Sequence, residues 1–259
     1  DSSVYTAGDT ALYPVVDQLG AIYVVDKLEK SDGVGGTFDT SYSYEALQLQ
    51  FRGLGGVGFK SMVTLNEETG IATKTTFNQD YQLRTYGSVD SLETVVNDMA
   101  AVNYDANLAH SDWSSWVSNG VVLSITDNEW RTCMWIPGYG CHQASTLSYD
   151  VNGDMTNIHS FPDLAWDGRH FWRQLENTEI TKRDLNGDFL SRETNAYTYD
   201  GYENIKTVTT RLYDEFDVLA REKIATHNYK NNGRSNISKI YGQVSDTKVD
   251  VTVTGKPTL

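Results

Sequence analysis

One turn-and-strand unit recurs from Tyr149 onward in this chain, and it limits the fold more than any other feature. Its copies read "YDVNGDM" from Tyr149, "RDLNGDF" from Arg183, "YDGYENI" from Tyr199, "YDEFDVL" from Tyr213 and "YKNNGRS" from Tyr229; the last four begin 16, 14 and 16 residues apart. Such an interval holds one strand and one turn. The leading aromatic ends a strand and packs sideways on its neighbour. The Asp accepts backbone N–H groups and starts the turn, and Gly in fifth place supplies a left-handed φ. β-branched runs such as "KTVTTRLY" then pair backward. A unit of this kind cannot cover its apolar face alone, so neighbours must stack to complete a core.

The N-terminal third repeats the pattern. "GIATKTTFNQDY" alternates Ile71, Thr73, Thr75 and Phe77 on one side with Ala72, Lys74 and Thr76 on the other. With "FKSMVTL" before it and "NEETG" between, it forms the strongest hairpin signal in the chain. "AIYVVDKLEK" (21–30) reads as a strand and "SDGVGG" as a turn. "TFDTSYSYEALQLQF" reads as one long or two short strands with Leu47, Leu49 and Phe51 on one face. Up to Tyr86 this is a meander. Between Ser88 and Asn103, Leu92, Val95, Val96, Met99 and Ala100 fall at helical intervals, which predicts one short helix near 91–102, although the valines also permit a strand. "VVLSITDNEW" (121–130) is the clearest later strand. The expected organisation is an all-β chain in three parts: a meander over 1–87, a divergent Trp- and Cys-containing segment over 88–147, and repeat hairpins over 148–259.

Composition supports this and narrows the partners. Twenty-one Gly against 4 Pro, with 16 Tyr and 6 Trp, suits strands joined by glycine turns. Lys and Arg number 21 and Asp and Glu 35, a net charge of −14 that repels nucleic acid and anionic lipid. No apolar run approaches the roughly 18 residues of a membrane-spanning helix, so direct membrane insertion is not expected. The start "DSSVYTAGD" has no signal-peptide character. Either a signal has been removed or the chain is a piece of something longer, and the start together with the end "VTGKPTL" favours the second expectation.

Catalytic signatures are missing: there is no G-x-S-x-G elbow, P-loop or H-E-x-x-H. "DVNGD" and "DLNGD" space their oxygens like calcium loops. Counted from Asp184, however, the sixth and twelfth places hold Phe189 and Asn195, and from Asp150 they hold Met155 and Phe161, so the EF-hand pattern fails. Asp163 and Asp167 could form a glycosidase pair only if they faced each other across a cleft. The expectation is a non-enzymatic chain with no cofactor and no metal. Cys133 and Cys141, in "CMWIPGYGC", are spaced for a small disulfide loop, with two reduced thiols, or a zinc site drawing on His142 and His159 or His170, as the other readings. Trp113, Trp116, Trp130, Trp135, Tyr139, Trp166 and Trp172 are candidate ligand-binding aromatics. Exposed rings beside Asp, Asn and Arg can stack on sugars, and the competing reading is that they are buried packing.

The repeat units resemble the YD repeats of the Rhs family. "YVVDKLEKSDGVGGTFDTSYSYEAL", "GLGGVGF" and "TGIATKTTFNQDY" resemble, in order, the segment preceding those repeats in the B component of insecticidal Tc toxin complexes and in related virulence-plasmid proteins. "LENTEITKRDLNGDFLSRETNAYTYDGYENI" resembles the piece that follows. Together they cover about two thirds of the chain. The chain departs from the family in having "GLGGVGF" for an Arg-Gly-Phe core, Tyr81-Gln82 for a Phe-Pro, and Glu203 and Asp217 for turn glycines, which suggests another turn type at those two places.

The resemblance implies an antiparallel β-hairpin strip that curves into part of a shell around a toxin polypeptide. The chain would be wall, in a bacterial protein that is secreted or on the cell surface. Its partners would be the remaining shell segments and the enclosed toxin, with self-association through exposed strand edges. The alternative is a carbohydrate-binding β module using the aromatics above.

Overall fold

A computed structural model of the chain describes residues 4–11, 13, 15–19, 22–51, 55–79, 87–97, 112–136, 140–143, 170–200, 204–229 and 244–254. The described residues are overwhelmingly strand, as the alternation predicts. The strands are β1 (Tyr5–Thr6), β2 (Val15–Asp17), β3 (Lys27–Ser31), β4 (Thr37–Glu45), β5 (Gln48–Gln50), β6 (Gly55–Gly58), β7 (Ser61–Asn66), β8 (Ile71–Phe77) and β9 (Val89–Val96). After one short helix, α1 (Trp113–Asn119), come β10 (Val121–Ile136), β11 (Gly140–Gln143), β12 (His170–Arg183), β13 (Phe189–Tyr199), β14 (Ile205–Tyr213), β15 (Leu219–Tyr229) and β16 (Val244–Val253).

Thirteen strands make one open sheet whose main order is β1-β4-β7-β8-β9-β10-β12-β13-β14-β15-β16, with β3 on β4 and β11 on β10. All its pairs are antiparallel except β1 with β4. The remaining three strands form a small sheet in the order β2-β5-β6. The large sheet runs without a break from the meander through β9 and β10 into the repeat hairpins.

The turns explain the regularity. In the β12–β13 hairpin Asp184 Oδ1 accepts the N–H groups of Asn186 and Asp188 at 2.8 and 2.9 Å, the Asp184 N–H donates to the Asp188 carbonyl, and Gly187 sits at φ 87°. The β14–β15 hairpin repeats this bond for bond. Asp214 Oδ1 accepts from Phe216 and Val218, and Asp217 takes the left-handed position at φ 56°. The expectation of another turn type at Asp217 is therefore corrected: the turn is the same and Asp carries the positive φ, which Asp tolerates better than most residues. Glu203 lies outside the described residues; of the residues either side, the Asn204 N–H donates to Asp200 Oδ1 at 3.0 Å and the Asp200 N–H to the Asn204 carbonyl at 2.9 Å.

A second regularity accompanies the turns. Pairing slips by one residue at Phe77, Arg183, Tyr199, Tyr213 and Tyr229, so that Asp90, Leu190, Lys206, Ala220 and Ser245 on the following strands stand unopposed. A bulge bends its strand and raises the local right-handed twist. Repeated at the same place, it adds twist of one hand at each hairpin.

Two expectations are corrected in the first hundred residues, and a third reading is narrowed to one of its alternatives. The helix near 91–102 is not found over its first half, where β9 spans Val89–Val96. Val95 and Val96 pair with Ala72 and Ile71 on one side and with Val122 and Val121 on the other. Two ladders outweigh a weak helical period in Val-rich sequence; positions 98–102 lie outside the described residues. The strand expected over 21–30 is confined to Lys27–Ser31. Of the two readings of "TFDTSYSYEALQLQF" the two-strand one holds, and the strands lie in different sheets. The chain turns at Ala46, φ 50°; Gln48 and Gln50 are buried, and Phe51, just past β5, is 72% exposed. Gln48 is held by Asp17 Oδ1 at 3.1 Å.

Gly187 tests the turn on its own. A Cβ there would meet nothing nearer than Val121 Cγ1 at 3.8 Å, so Gly187→Ala carries only the left-handed penalty. It should cost about 1–2 kcal/mol, read as a lower urea midpoint with an unchanged m-value.

Candidate functional site

Among the described residues the hydrophobic core cluster lies where α1 packs on the sheet. Asp112 caps the helix, its carboxylate accepting the Ser115 N–H at 3.0 Å. Trp116 then descends onto Val63, Leu65, Ala72 and Val95, which alternation directs to one face of β7, β8 and β9. Trp113, Val117 and Val122 pack around this cluster. In β8 the buried side is therefore that of Ala72, while Ile71 on the other side is 37% exposed. Asn97 Nδ2 donates to the Trp116 carbonyl at 3.0 Å. Gly120 is required for a different reason from the turn glycines: a Cβ there would come within 2.7–2.8 Å of Asn97 Oδ1, Val95 Cγ1 and the Val96 carbonyl.

Beside the helix the same face turns polar. A pocket of about 220 Å³ is lined by Ser43, Glu45, Ser61, Lys74 and Trp113 among others. Glu45 accepts from Lys60 Nζ at 2.7 Å and from Ser61 Oγ at 2.8 Å. Burial pushes the Glu45 carboxyl upward, but those two hydrogen bonds and the charges of Lys60 and Lys74 outweigh it and hold it below its ordinary value. Asp90, half-buried, goes the other way: burial raises it, against the hydrogen bond from Asn78. Among the described residues no group of three or more His, Cys, Asp or Glu is placed to hold a metal ion.

The candidate aromatics divide into four sets. Trp116 is 1% exposed and belongs to the core. Trp113 and Trp130 are half-buried with their indole N–H groups engaged, Trp113 on Glu93 Oε2 at 2.6 Å and Trp130 on the Val89 carbonyl at 2.8 Å. For Trp135 and Trp172 the backbone register is defined, Trp135 opposite His170 and Cys133 opposite Trp172. Tyr139 and Trp166 lie outside the described residues. Cys141 faces Trp135 and Cys133 faces Gln143, so the two cysteines occupy diagonal places on β10 and β11; their side chains lie outside the described residues.

The repeat hairpins carry a second set of interactions that sequence reading missed. Tyr199 Oη donates to the Leu175 carbonyl at 2.8 Å and Tyr229 Oη to the Ile205 carbonyl at 2.7 Å, each spanning 24 residues. Arg192 joins three strands: it pairs with Asp217 through Nε and Nη2, reaches Glu179 Oε2 at 3.3 Å, and stacks 4.0 Å over the Tyr213 ring. A further copy of the turn, at Asp32, was also legible. Asp32 Oδ1 accepts from Val34 and Gly36, and Gly35 is at φ 107°. Searching for Asp-x-x-Gly instead of an aromatic followed by Asp would have found it.

No family model matches the chain, and no curated protein does. Among solved structures the fold is similar to the crystal structure of TcdB2-TccC3-Cdc42, with a TM-score of 0.57 over 89% of this chain and 9% sequence identity. The chain spans 13% of the length of that neighbour. At this identity the likeness concerns the fold: an open, all-β, Tc-toxin-like sheet.

Trp116→Ala should remove about 3–5 kcal/mol, while Trp113→Ala, which also frees Glu93, should cost less; thermal unfolding of both variants ranks them. Acid should weaken the fold through Glu45. Its depressed folded value means that its contribution is present above its ordinary pKa and lost as pH falls through the folded one. Glu45→Gln should accordingly flatten stability against pH on the acid side, below about pH 5.

Proposed function

We propose that this chain is a non-enzymatic wall segment of an Rhs or Tc-B-like β-shell, a bacterial secreted protein that encloses or carries a toxin polypeptide. What carries the reading is the open sheet itself: hairpins in both halves close through one Asp-anchored turn, and five bulges recur beside the strand ends. Such a strip has faces that a single layer leaves half covered, and it is suited to curving around something else. The likeness to TcdB2-TccC3-Cdc42, over most of this chain and a small part of the neighbour, supports the same reading, as does the resemblance of the repeats to YD units. The partners in this reading are further shell strands and an internal polypeptide. The net charge of −14 argues against nucleic acid. Trp113, Trp116 and Trp130, tied into internal packing and hydrogen bonds, weigh against a sugar-stacking platform.

The test uses the parent protein that this reading implies, in which these residues are followed by an enclosed polypeptide. Added protease should spare that polypeptide in the intact protein and digest it once the wall is opened by Gly187→Val combined with Asp214→Ala. Digestion at equal rates in both, or saturable binding of the isolated chain on a glycan array, would count against the proposal.

A further inference from the structure

The pocket beside α1 is built from two neighbouring rows of one sheet face. Glu45 of β4 stands opposite Ser61 of β7 on one side and Thr6 of β1 on the other. In the next row Ser43 stands opposite Val63, and Val63 opposite Lys74 of β8. Trp113, at the start of α1, completes the wall of a cavity of about 220 Å³. That is smaller than the roughly 300–1,000 Å³ of sites for drug-sized ligands, so only a small molecule fits.

Glu45 and Lys74 are the charged residues of this lining, and they are not equally answered. The Glu45 carboxylate accepts from Lys60 Nζ at 2.7 Å and from Ser61 Oγ at 2.8 Å. Lys74 has no such partner: among the described residues its ammonium makes neither a hydrogen bond nor an ion pair. Its cross-strand neighbour on β9, Glu93, is the natural counter-ion. Glu93 Oε2 instead accepts the Trp113 indole N–H at 2.6 Å. Lys74 lies near enough to Glu45 for its charge to favour the carboxylate form, without pairing with it. Its side chain is half-buried, where a counter-charge is felt more strongly than in open water.

We propose that this cavity binds a small monocarboxylate with an apolar body. The ligand carboxylate accepts from Lys74 Nζ, and its hydrocarbon lies between Val63 and Trp113. The bond to Glu93 fixes Trp113 beforehand, so the slot needs little ordering when the ligand arrives. Glu45 sets the charge limit. A second negative group on the ligand is brought against the Glu45 carboxylate, an ammonium in place of the carboxylate meets Lys74 as a like charge, and a neutral analogue leaves Lys74 unanswered. The inference rests on this pocket alone and stands apart from the shell reading.

The test is isothermal titration calorimetry of the 259-residue chain with hexanoate, and with hexanamide, hexylamine and adipate as the neutral, cationic and dianionic comparisons. Hexanoate should bind once per chain with a Kd of about 1 mM or tighter, and each comparison about tenfold more weakly or worse. Lys74→Met should weaken hexanoate by about tenfold or more, while Lys74→Arg, which keeps the charge and the donors, should retain most of the binding. Circular dichroism establishes that each variant keeps its strands. The hexanamide comparison uses the wild-type chain and decides the role of charge even if Lys74→Met fails to fold. Absence of saturable hexanoate binding overturns the proposal. So does equal or tighter binding of any of the three comparisons, or a folded Lys74→Met chain that binds hexanoate as the wild type does.

Discussion

Everything in this architecture depends on one short-range interaction, an aspartate carboxylate accepting the N–H groups two and four residues further along the chain. A hairpin turn leaves those donors without ladder partners, and an unpaired donor costs more than a typical hydrogen bond contributes. Asp32, Asp184 and Asp214 meet the need identically. Because the turn fixes where the returning strand begins, it fixes the register, and the one-residue slips at Arg183, Tyr199, Tyr213 and Tyr229 fall at equivalent points. Local chemistry thereby sets a long-range shape.

Cohesion beyond the turns is unevenly distributed. Burial concentrates under α1, where Trp116, Leu65, Ala72 and Val95 reach 1% exposure or less. From β13 onward almost nothing is fully buried, and the strands are held by their ladders, by cross-strand pairs such as Arg211 with Glu222, and by the tyrosine hydroxyls that reach back to neighbouring carbonyls. Arg192 is the densest junction there. Asp217, first among its largest influences, together with Glu179 drives its already high pKa further up, so it stays charged throughout the accessible range. A single layer stabilised in this way has two usable faces.

The all-β class and the strand ends at Arg183, Tyr199, Tyr213 and Tyr229 were legible because period-two alternation and Asp-anchored turns are both local signals. The helix was misplaced for the converse reason. Leu92, Val95 and Val96 satisfy a helical period by accident, and only the flanking strands decide the matter, whereas Trp113–Asn119 is a short helix held by Asp112 and by the burial of Trp116. The burial of Gln48 had no local signal, because the carboxylate that holds it, Asp17, lies 31 residues away. The aromatics could be picked out as unusual, but their fate rested on partners distant in sequence: Glu93 for Trp113, Val89 for Trp130, the β7–β9 face for Trp116.

Spatial order in the large sheet follows chain order almost throughout, from β7 to β16, with β11 as a side branch. Each ribbon therefore needs only the one just before it in order to dock. Most of the loop-closing entropy is met a few residues at a time, which favours rapid ordering. A nascent polypeptide built like this can be laid down progressively as it leaves the ribosome, adding one rung after another without waiting for its far end.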